Sequence, residues 1–206
     1  MWIERPPGWF RMLFPGAVFR MPRDGASPGN VYLTFDDGPI PEVTPWVLDV
    51  LDRFDVKATF FMVGQNIERH PELLEEVVRR GHKAANHTHH HIRGIGISAE
   101  DYLKDVEECE KYTKSGIVRP PHGWLTPAQL KALKGKYRVV MYDLVTRDYS
   151  KKVTAEGVMR NVRLLVRDGS IIVFHDSVKT FEKLKRALPS SLEYLLSQGY
   201  SFRLLP

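Results

Sequence analysis

Two short runs of this chain gather side chains that do chemistry. The first is Thr34-Phe35-Asp36-Asp37-Gly38-Pro39. Adjacent carboxylates are not both ionised cheaply unless they share a cation or one stays protonated. Gly38 and Pro39 turn the chain and leave both carboxylates at a rim. Taken alone, the run reads equally well as an acidic turn capping a helix that begins near Pro41. The second run is Asn86-His87-Thr88-His89-His90-His91. Imidazole is the commonest neutral ligand for divalent transition metals. His87 and His91, four apart, would share one face of a helical turn. With Asp37 they supply two nitrogens and one carboxylate oxygen, a set that leaves positions open for water. His89 and His90 are expected to face elsewhere. A surface histidine cluster is the plainer reading, and the upstream aspartate pair weighs against it.

Three later runs add to the set. In Arg119-Pro120-Pro121-His122-Gly123, the double proline stiffens the backbone after an arginine. Its guanidinium could hold a carboxylate ionised through a bidentate pair. In Arg147-Asp148-Tyr149 and Val173-Phe174-His175-Asp176, a histidine ends an apolar run with an aspartate available upstream. Asp148 beside His175 would raise the imidazole pKa and keep it protonated as an acid. Without the other runs, His175 reads as a core histidine satisfied by the backbone.

The elements that must position these groups alternate. Short β-rich runs fall at 31–36, 57–63, 83–86, 117–119, 138–143, 170–174 and 201–204. Between them Leu73, Leu74, Val77 and Val78 follow Pro71 and stop at Gly81, as a helix would. Ser98-Ala99-Glu100-Asp101 resembles a capping box ahead of Tyr102, Leu103, Val106 and Cys109. Val158, Val162 and Leu165 recur at helical spacing before Gly169. Seven strands alternating with helices predict one α/β domain, a barrel or a doubly wound open sheet. Asp36, Asp37, His87, Arg119, Asp148 and His175 all lie at or just past a predicted strand end. So many strands feeding one rim favours the barrel.

Bulk properties narrow the class. The chain has 206 residues, 43% of them hydrophobic, which suits one domain with a real core. Its net charge is +5, but Lys and Arg are spread out, often beside Glu or Asp. No dense basic run interleaves with aromatics, so nucleic acid is not an expected partner. No apolar stretch approaches the ~20 residues that span a bilayer. The one cysteine, Cys109, rules out an internal disulfide framework and reads as a small buried hydrophobe. Residues 1–28 show no signal-peptide pattern, so a cytoplasmic location is expected. Residues 1–29 form an arm carrying Trp2, Trp9, Phe10, Leu13, Phe14 and Phe19 beside Arg5, Arg11, Arg20 and Arg23. The arm is expected to strap across the domain of residues 30–206, with peripheral membrane contact as the alternative.

In order and spacing, the five runs resemble the motifs of the polysaccharide deacetylase family, also called the NodB-homology domain or carbohydrate esterase family 4. The resemblance extends from about residue 30 to the C-terminus. It implies a distorted (β/α)7 barrel and the removal of N- or O-acetyl groups from sugars. It implies Asp36 as general base, oriented by Arg119, and His175 as general acid, tuned by Asp148. It also implies Asp37, His87 and His91 as ligands of one divalent ion, zinc first, with cobalt, nickel or manganese as alternatives. The His122 backbone N–H falls where the family helps to hold the oxyanion. Three positions depart from the pattern. Val145 stands where an aspartate is usual, Tyr149 for a tryptophan and Val173 for a leucine. They shape the groove and the acetyl pocket, so the particular N-acetylated carbohydrate stays open. Two other readings remain: a catalytically silent carbohydrate-binding relative, and a hydrolase of a non-sugar amide or imide.

Overall fold

The computed structural model describes residues 3–23, 25 and 29–206; Trp2 of the expected arm lies outside them. Eight parallel-paired strands form one sheet. β1 (Asn30–Asp36), β2 (Thr59–Met62), β3 (Lys83–Asn86), β4 (Ile117–Val118), β5 (Arg138–Val139), β6 (Leu144–Val145) and β7 (Ser170–His175) run in the order β5-β4-β3-β2-β1-β7-β6. The sheet curls into a distorted, incomplete (β/α)7 barrel, and the strands' C-terminal ends share one rim. β8 (Ser201–Phe202) pairs only with Asn30 and Val31, at the start of β1.

This membership corrects the expected strand list. The predicted 201–204 strand is β8, away from the rim. The seventh barrel strand is instead β6, and the 138–143 strand shrinks to Arg138 and Val139 with one bridge at Val140. Asp143 breaks the run: its buried carboxylate turns to Ser170, Arg167 and Arg11 instead of continuing a ladder.

Strand periodicity sorts the side chains by face. Val31, Leu33 and Phe35 of β1 belong to the main core, where Phe35 stacks between Phe60 and Phe174. Helices α2 (Thr44–Arg53), α3 (Gly64–Arg69), α4 (Pro71–Arg79), α7 (Ala155–Leu165) and α8 (Phe181–Ser197) cover that core with Leu48, Ile67, Val77, Val158 and Leu188. Thr34 and Asp36, the alternate residues of β1, both meet Arg119. A second core gathers Tyr102 and Val106 from α5 (Ala99–Thr113), Leu130 and Leu133 from α6 (Pro127–Leu133), and Phe14 and Phe19 from the N-terminal segment. The expected cap at Ser98 is present, its hydroxyl accepting from the Asp101 N–H at 3.0 Å. Cys109 is buried on α5.

The N-terminal segment carries α1 (Gly8–Met12) and crosses the barrel between β5 and β7. Val18 N donates to Val139 O and Val18 O accepts from Met141 N, each at 2.8 Å, and Met21 N donates to Gly169 O at 2.9 Å. Phe14 and Phe19 are buried, whereas Trp9, Met12 and Leu13 are exposed. Among the described residues no helix is long and apolar enough to cross a membrane.

Candidate active site

Ten of the eleven site residues singled out in the sequence, Val145 among them, line a single rim cavity of about 300 Å³; the eleventh, Asp148, packs behind it against His175. Asp36 ends β1 and Asp37 follows with φ 85°, a left-handed conformation that non-glycine residues adopt at a cost. That turn separates the two carboxylates. Asp36 points to the buried Arg119, while Asp37 Oδ1 lies 3.2 Å from His91 Nε2 and 3.6 Å from His87 Nε2.

His87 and His91 do not sit on a helical turn as their spacing suggests. Residues 87–93 form a loop in which Thr88 (φ 63°) and His91 (φ 53°) are left-handed, and these bends bring His91 back beside His87. The loop is held from outside. Asn86 Oδ1 accepts from Thr88 N at 2.9 Å, and Asp105 Oδ1 on α5 accepts from His89 N at 2.7 Å and His90 N at 3.1 Å. His89 and His90 point away, towards Glu68 and Asp105 respectively.

The donor atoms of Asp37, His87 and His91 all lie within 4.8 Å of one another. His87 Nδ1 is 2.8 Å from the Arg119 carbonyl. A carbonyl only accepts, so Nδ1 carries the proton and Nε2 faces Asp37 with its lone pair free. Burial alone would raise the Asp37 carboxyl, but the imidazoles of His87 and His91 beside it, with the charge of His175, outweigh it and hold the group well below the usual carboxylate range. Two imidazoles and one ionised carboxylate converging this closely fit a divalent transition metal with coordination positions left for other ligands.

Arg119 follows β4 and is buried. Its Nη1 donates to Asp36 Oδ1 at 2.6 Å and to Thr34 Oγ1 at 2.7 Å; its Nη2 donates to Met141 O at 3.0 Å. The pairing with Asp36 is therefore not the expected bidentate fork, because Thr34 and the Met141 carbonyl occupy the other donor directions. The guanidinium also lies 3.9 Å above the Phe61 ring, which fixes its plane.

On the opposite wall His175 ends β7, in register with Asp36 on β1. Asp148 is fully buried and accepts from His175 N at 2.7 Å and Tyr149 N at 3.0 Å, while its Oδ1 lies 2.8 Å from His175 Nδ1. Burial would lower the His175 pKa. The Asp148 carboxylate overrides it, with help from Asp37 and Asp36, and pushes the imidazole up to about 10. Tyr149 meets the His175 ring edge to face with centroids 5.0 Å apart. Val145, Val173 and Met141 extend the same wall, so the departures from the family pattern cluster on one apolar side. His122 (φ 60°) faces His91. Burial, then the neighbouring His91 and His87, lower its side chain to about 4, so the ring is neutral near pH 7.

Sequence reasoning passed over Asp176 and Thr180. Asp176 is buried and accepts from Gly38 N at 3.1 Å and Thr44 Oγ1 at 2.7 Å, bracing the turn that carries Asp37. A Cβ on Gly38 would lie 2.1 Å from Asp176 Oδ2, which is why glycine stands there. Thr180 Oγ1 donates to the His175 carbonyl at 2.5 Å. The only signal for Asp176 was a charge next to His175 at the end of an apolar strand.

The chain's residues 23–137 match the family model for polysaccharide deacetylases. It is 33% identical over 180 residues to a peptidoglycan-N-acetylglucosamine deacetylase of Bacillus cereus, covering 84% of each chain. It is 31% identical over 208 residues to a chitooligosaccharide deacetylase of Sinorhizobium fredii, covering 90% of this chain and 94% of that one. Its fold superposes with a TM-score of 0.84 and 30% identity on the crystal structure of a peptidoglycan N-acetylglucosamine deacetylase in complex with a naphthalenyl N-oxidanyl-benzamide, covering 96% of this chain and 94% of that one. The chain belongs to the polysaccharide deacetylase family, metal-dependent hydrolases that remove acetyl groups from sugars.

Proposed function

We propose that this protein hydrolyses the N-acetyl group of an N-acetylglucosamine-type sugar in a glycan, with Asp37, His87 and His91 holding one divalent ion. Zinc is the first candidate for that ion, given two imidazoles and one carboxylate. One observation carries the reading. The ligand set, a carboxylate held by a buried arginine and an imidazole held by a buried aspartate all face one cavity of about 300 Å³.

When bound, the ion supplies Lewis acidity, polarising the acetyl carbonyl and making water a stronger acid. The chain's own residues do the rest. Asp36, its Oδ1 held by Arg119, takes the proton of the attacking water. The backbone N–H of His122 donates to the oxygen that becomes negative as the carbonyl carbon turns tetrahedral. His175 keeps its Nδ1 proton on Asp148 and presents Nε2–H to the leaving nitrogen. Protonation there is required because an amide anion is a very poor leaving group. The C–N bond breaks, giving acetate and a free amino sugar. Val145, Tyr149 and Val173 offer the acetyl methyl an apolar wall.

The test measures acetate released from N-acetylglucosamine oligomers, acetylated xylan and small amides by zinc-loaded protein. N-acetylated oligomers are expected to be turned over, and Asp36→Asn and His175→Ala to lose at least about a hundredfold in kcat while still binding metal. Near-parental turnover by either variant would refute the assigned roles.

A further inference from the structure

The N-terminal segment turns an apolar face outward. Trp9, Met12 and Leu13 stand at the i, i+3 and i+4 positions of α1, and Leu13, its C-cap, keeps helical dihedrals, so the three share one face. They are 59%, 76% and 49% exposed. The other face of the helix is spent on the barrel: Phe14 is buried, and Phe10 lies against it with centroids 5.2 Å apart. Phe14 in turn meets the exposed Trp124 indole edge to face at 5.7 Å. This apolar face is not a loose end. Glu4 O accepts from Val145 N at 2.9 Å before the helix, Val18 pairs with Val139 and Met141 after it, and Arg11 reaches Asp143 at 2.8 Å from within it.

The same segment carries an unbalanced positive charge. An open groove of about 700 Å³ runs along it, lined by Phe14, Phe19 and Met21 and by Arg11, Arg20 and Arg138, with no carboxylate among its described lining residues. Arg11 and Arg167 share a single buried carboxylate, that of Asp143. Arg5 adds a further cation there. Burial, then the charge of Arg167, draws the Arg5 pKa below its ordinary value, with Arg11 and Arg20 adding to the fall and Asp143 opposing it. The buried Nε of Arg5 has no hydrogen-bond partner. The guanidiniums of Arg5, Arg11, Arg20 and Arg167 thus gather about one carboxylate, and the surplus charge favours an anion supplied from outside the chain.

We infer that this face docks on an anionic membrane surface, with Trp9, Met12 and Leu13 entering the headgroup layer while Arg11, Arg20 and Arg138 meet lipid phosphates. A helix with a tryptophan and aliphatic side chains on its outer face and arginines beside it has the division of an interfacial anchor. The indole suits the boundary between headgroups and acyl chains, and the guanidiniums answer the negative surface potential. A specific protein partner takes roughly 20–30 residues a side. Three side chains projecting from one short helix suit a deformable phase better than a fitted surface. Phe10 and Trp124 line a cavity whose wall includes His122, which also lines the cavity at the strand ends, so docking sets the rim of the barrel near the bilayer. The inference does not depend on the deacetylase reading.

The full chain is to be co-sedimented with vesicles of phosphatidylcholine alone and of phosphatidylcholine mixed with phosphatidylglycerol. Binding is expected on the anionic vesicles, about tenfold weaker on the neutral ones, and reduced by added salt. A triple variant carrying Trp9→Ala, Met12→Ala and Leu13→Ala should bind the anionic vesicles at least about tenfold more weakly, and Arg20→Gln about fivefold. Both variants should keep the parent's Tm and its acetate release from a soluble chitooligosaccharide, which separates lost docking from lost fold. No binding of the parent to anionic vesicles, equal binding to both lipids, or undiminished binding by the triple variant would overturn the inference. A parent that is dimeric in solution and a triple variant that is monomeric, with neither bound to vesicles, would overturn it too and give the face to a second copy of the chain. Should the parent release no acetate, the deacetylase reading falls while the vesicle binding still decides the docking.

Discussion

Replacing Asp148 by asparagine tests how His175 acts as an acid. The substitution keeps the shape and leaves an acceptor for the His175 N–H, but removes the charge 2.8 Å from Nδ1. With that carboxylate gone, burial is opposed only by the lesser pull of Asp37 and Asp36, and the imidazole falls from about 10 towards its ordinary 6.5. The sign follows directly. A raised histidine pKa means that the charged form dominates at every pH below about 10 in the parent. At pH 8, a group titrating at 6.5 is protonated to only about 3%, so the variant loses roughly thirtyfold in the population of competent acid. The assay is the pH profile of acetate release from a chitooligosaccharide. The alkaline limb should move down by several pH units, with the deficit shrinking towards pH 6. Stability carries the same signature. The pair's contribution is complete below pH 6.5, fades as pH rises towards about 10, and should be missing from the variant's pH–melting curve. An alkaline limb that stays in place in Asp148→Asn would refute the assignment of His175 as the proton donor.

Two further substitutions probe the supports. Gly38→Ala drives a methyl to 2.1 Å from the Asp176 carboxylate, which is itself pinned by Gly38 N and Thr44; about 1–3 kcal/mol of stability should be lost and zinc affinity weakened with it, measured by calorimetry and metal titration. Arg11→Ala removes one of three cationic or hydroxyl partners from the buried Asp143, leaving Arg167 and Ser170; a loss of about 1–3 kcal/mol is expected, or several degrees in Tm, and an unchanged Tm would mean that Arg167 alone suffices.

The sequence was most readable where one residue type allows one role. The apolar run ending in His175 and the run ending in Asp36 predicted strands with chemistry at their tips; that the two strands are neighbours with these residues in register comes from the structure. The grouping of Asp37, His87 and His91 was readable because imidazoles beside an aspartate pair have few other uses. What could not be read was set by distant partners. His91 reaches the triad through a left-handed backbone rather than a helical turn, and Asp105, on a helix that begins eight residues further on, holds that loop open. Arg119 loses its expected fork because Thr34 and Met141, remote in sequence, claim its donors. β6 is only two residues long, too short for any periodicity to register.

Strain and support coincide in this molecule. Asp37, Thr88, His91 and His122 are all non-glycine residues with positive φ, and all four lie within the loops that gather Asp37, His87 and His91 on one side of the cavity. Each such residue costs of order 1–3 kcal/mol, so a chain with no use for the arrangement would relax it. The brackets that prevent relaxation are buried and polar: Asp176 under the Asp37 turn, Asp105 under the histidine loop, and the Arg119 carbonyl on His87. A carbohydrate-binding surface needs only the groove and has no reason to keep these left-handed residues aimed at one point. The pattern is that of a site in which tenths of an ångström matter, as they do when a water, a carbonyl and two proton-transfer groups must meet. Removing a bracket should therefore impair metal affinity and turnover before it unfolds the barrel, whose apolar cores are built from other residues.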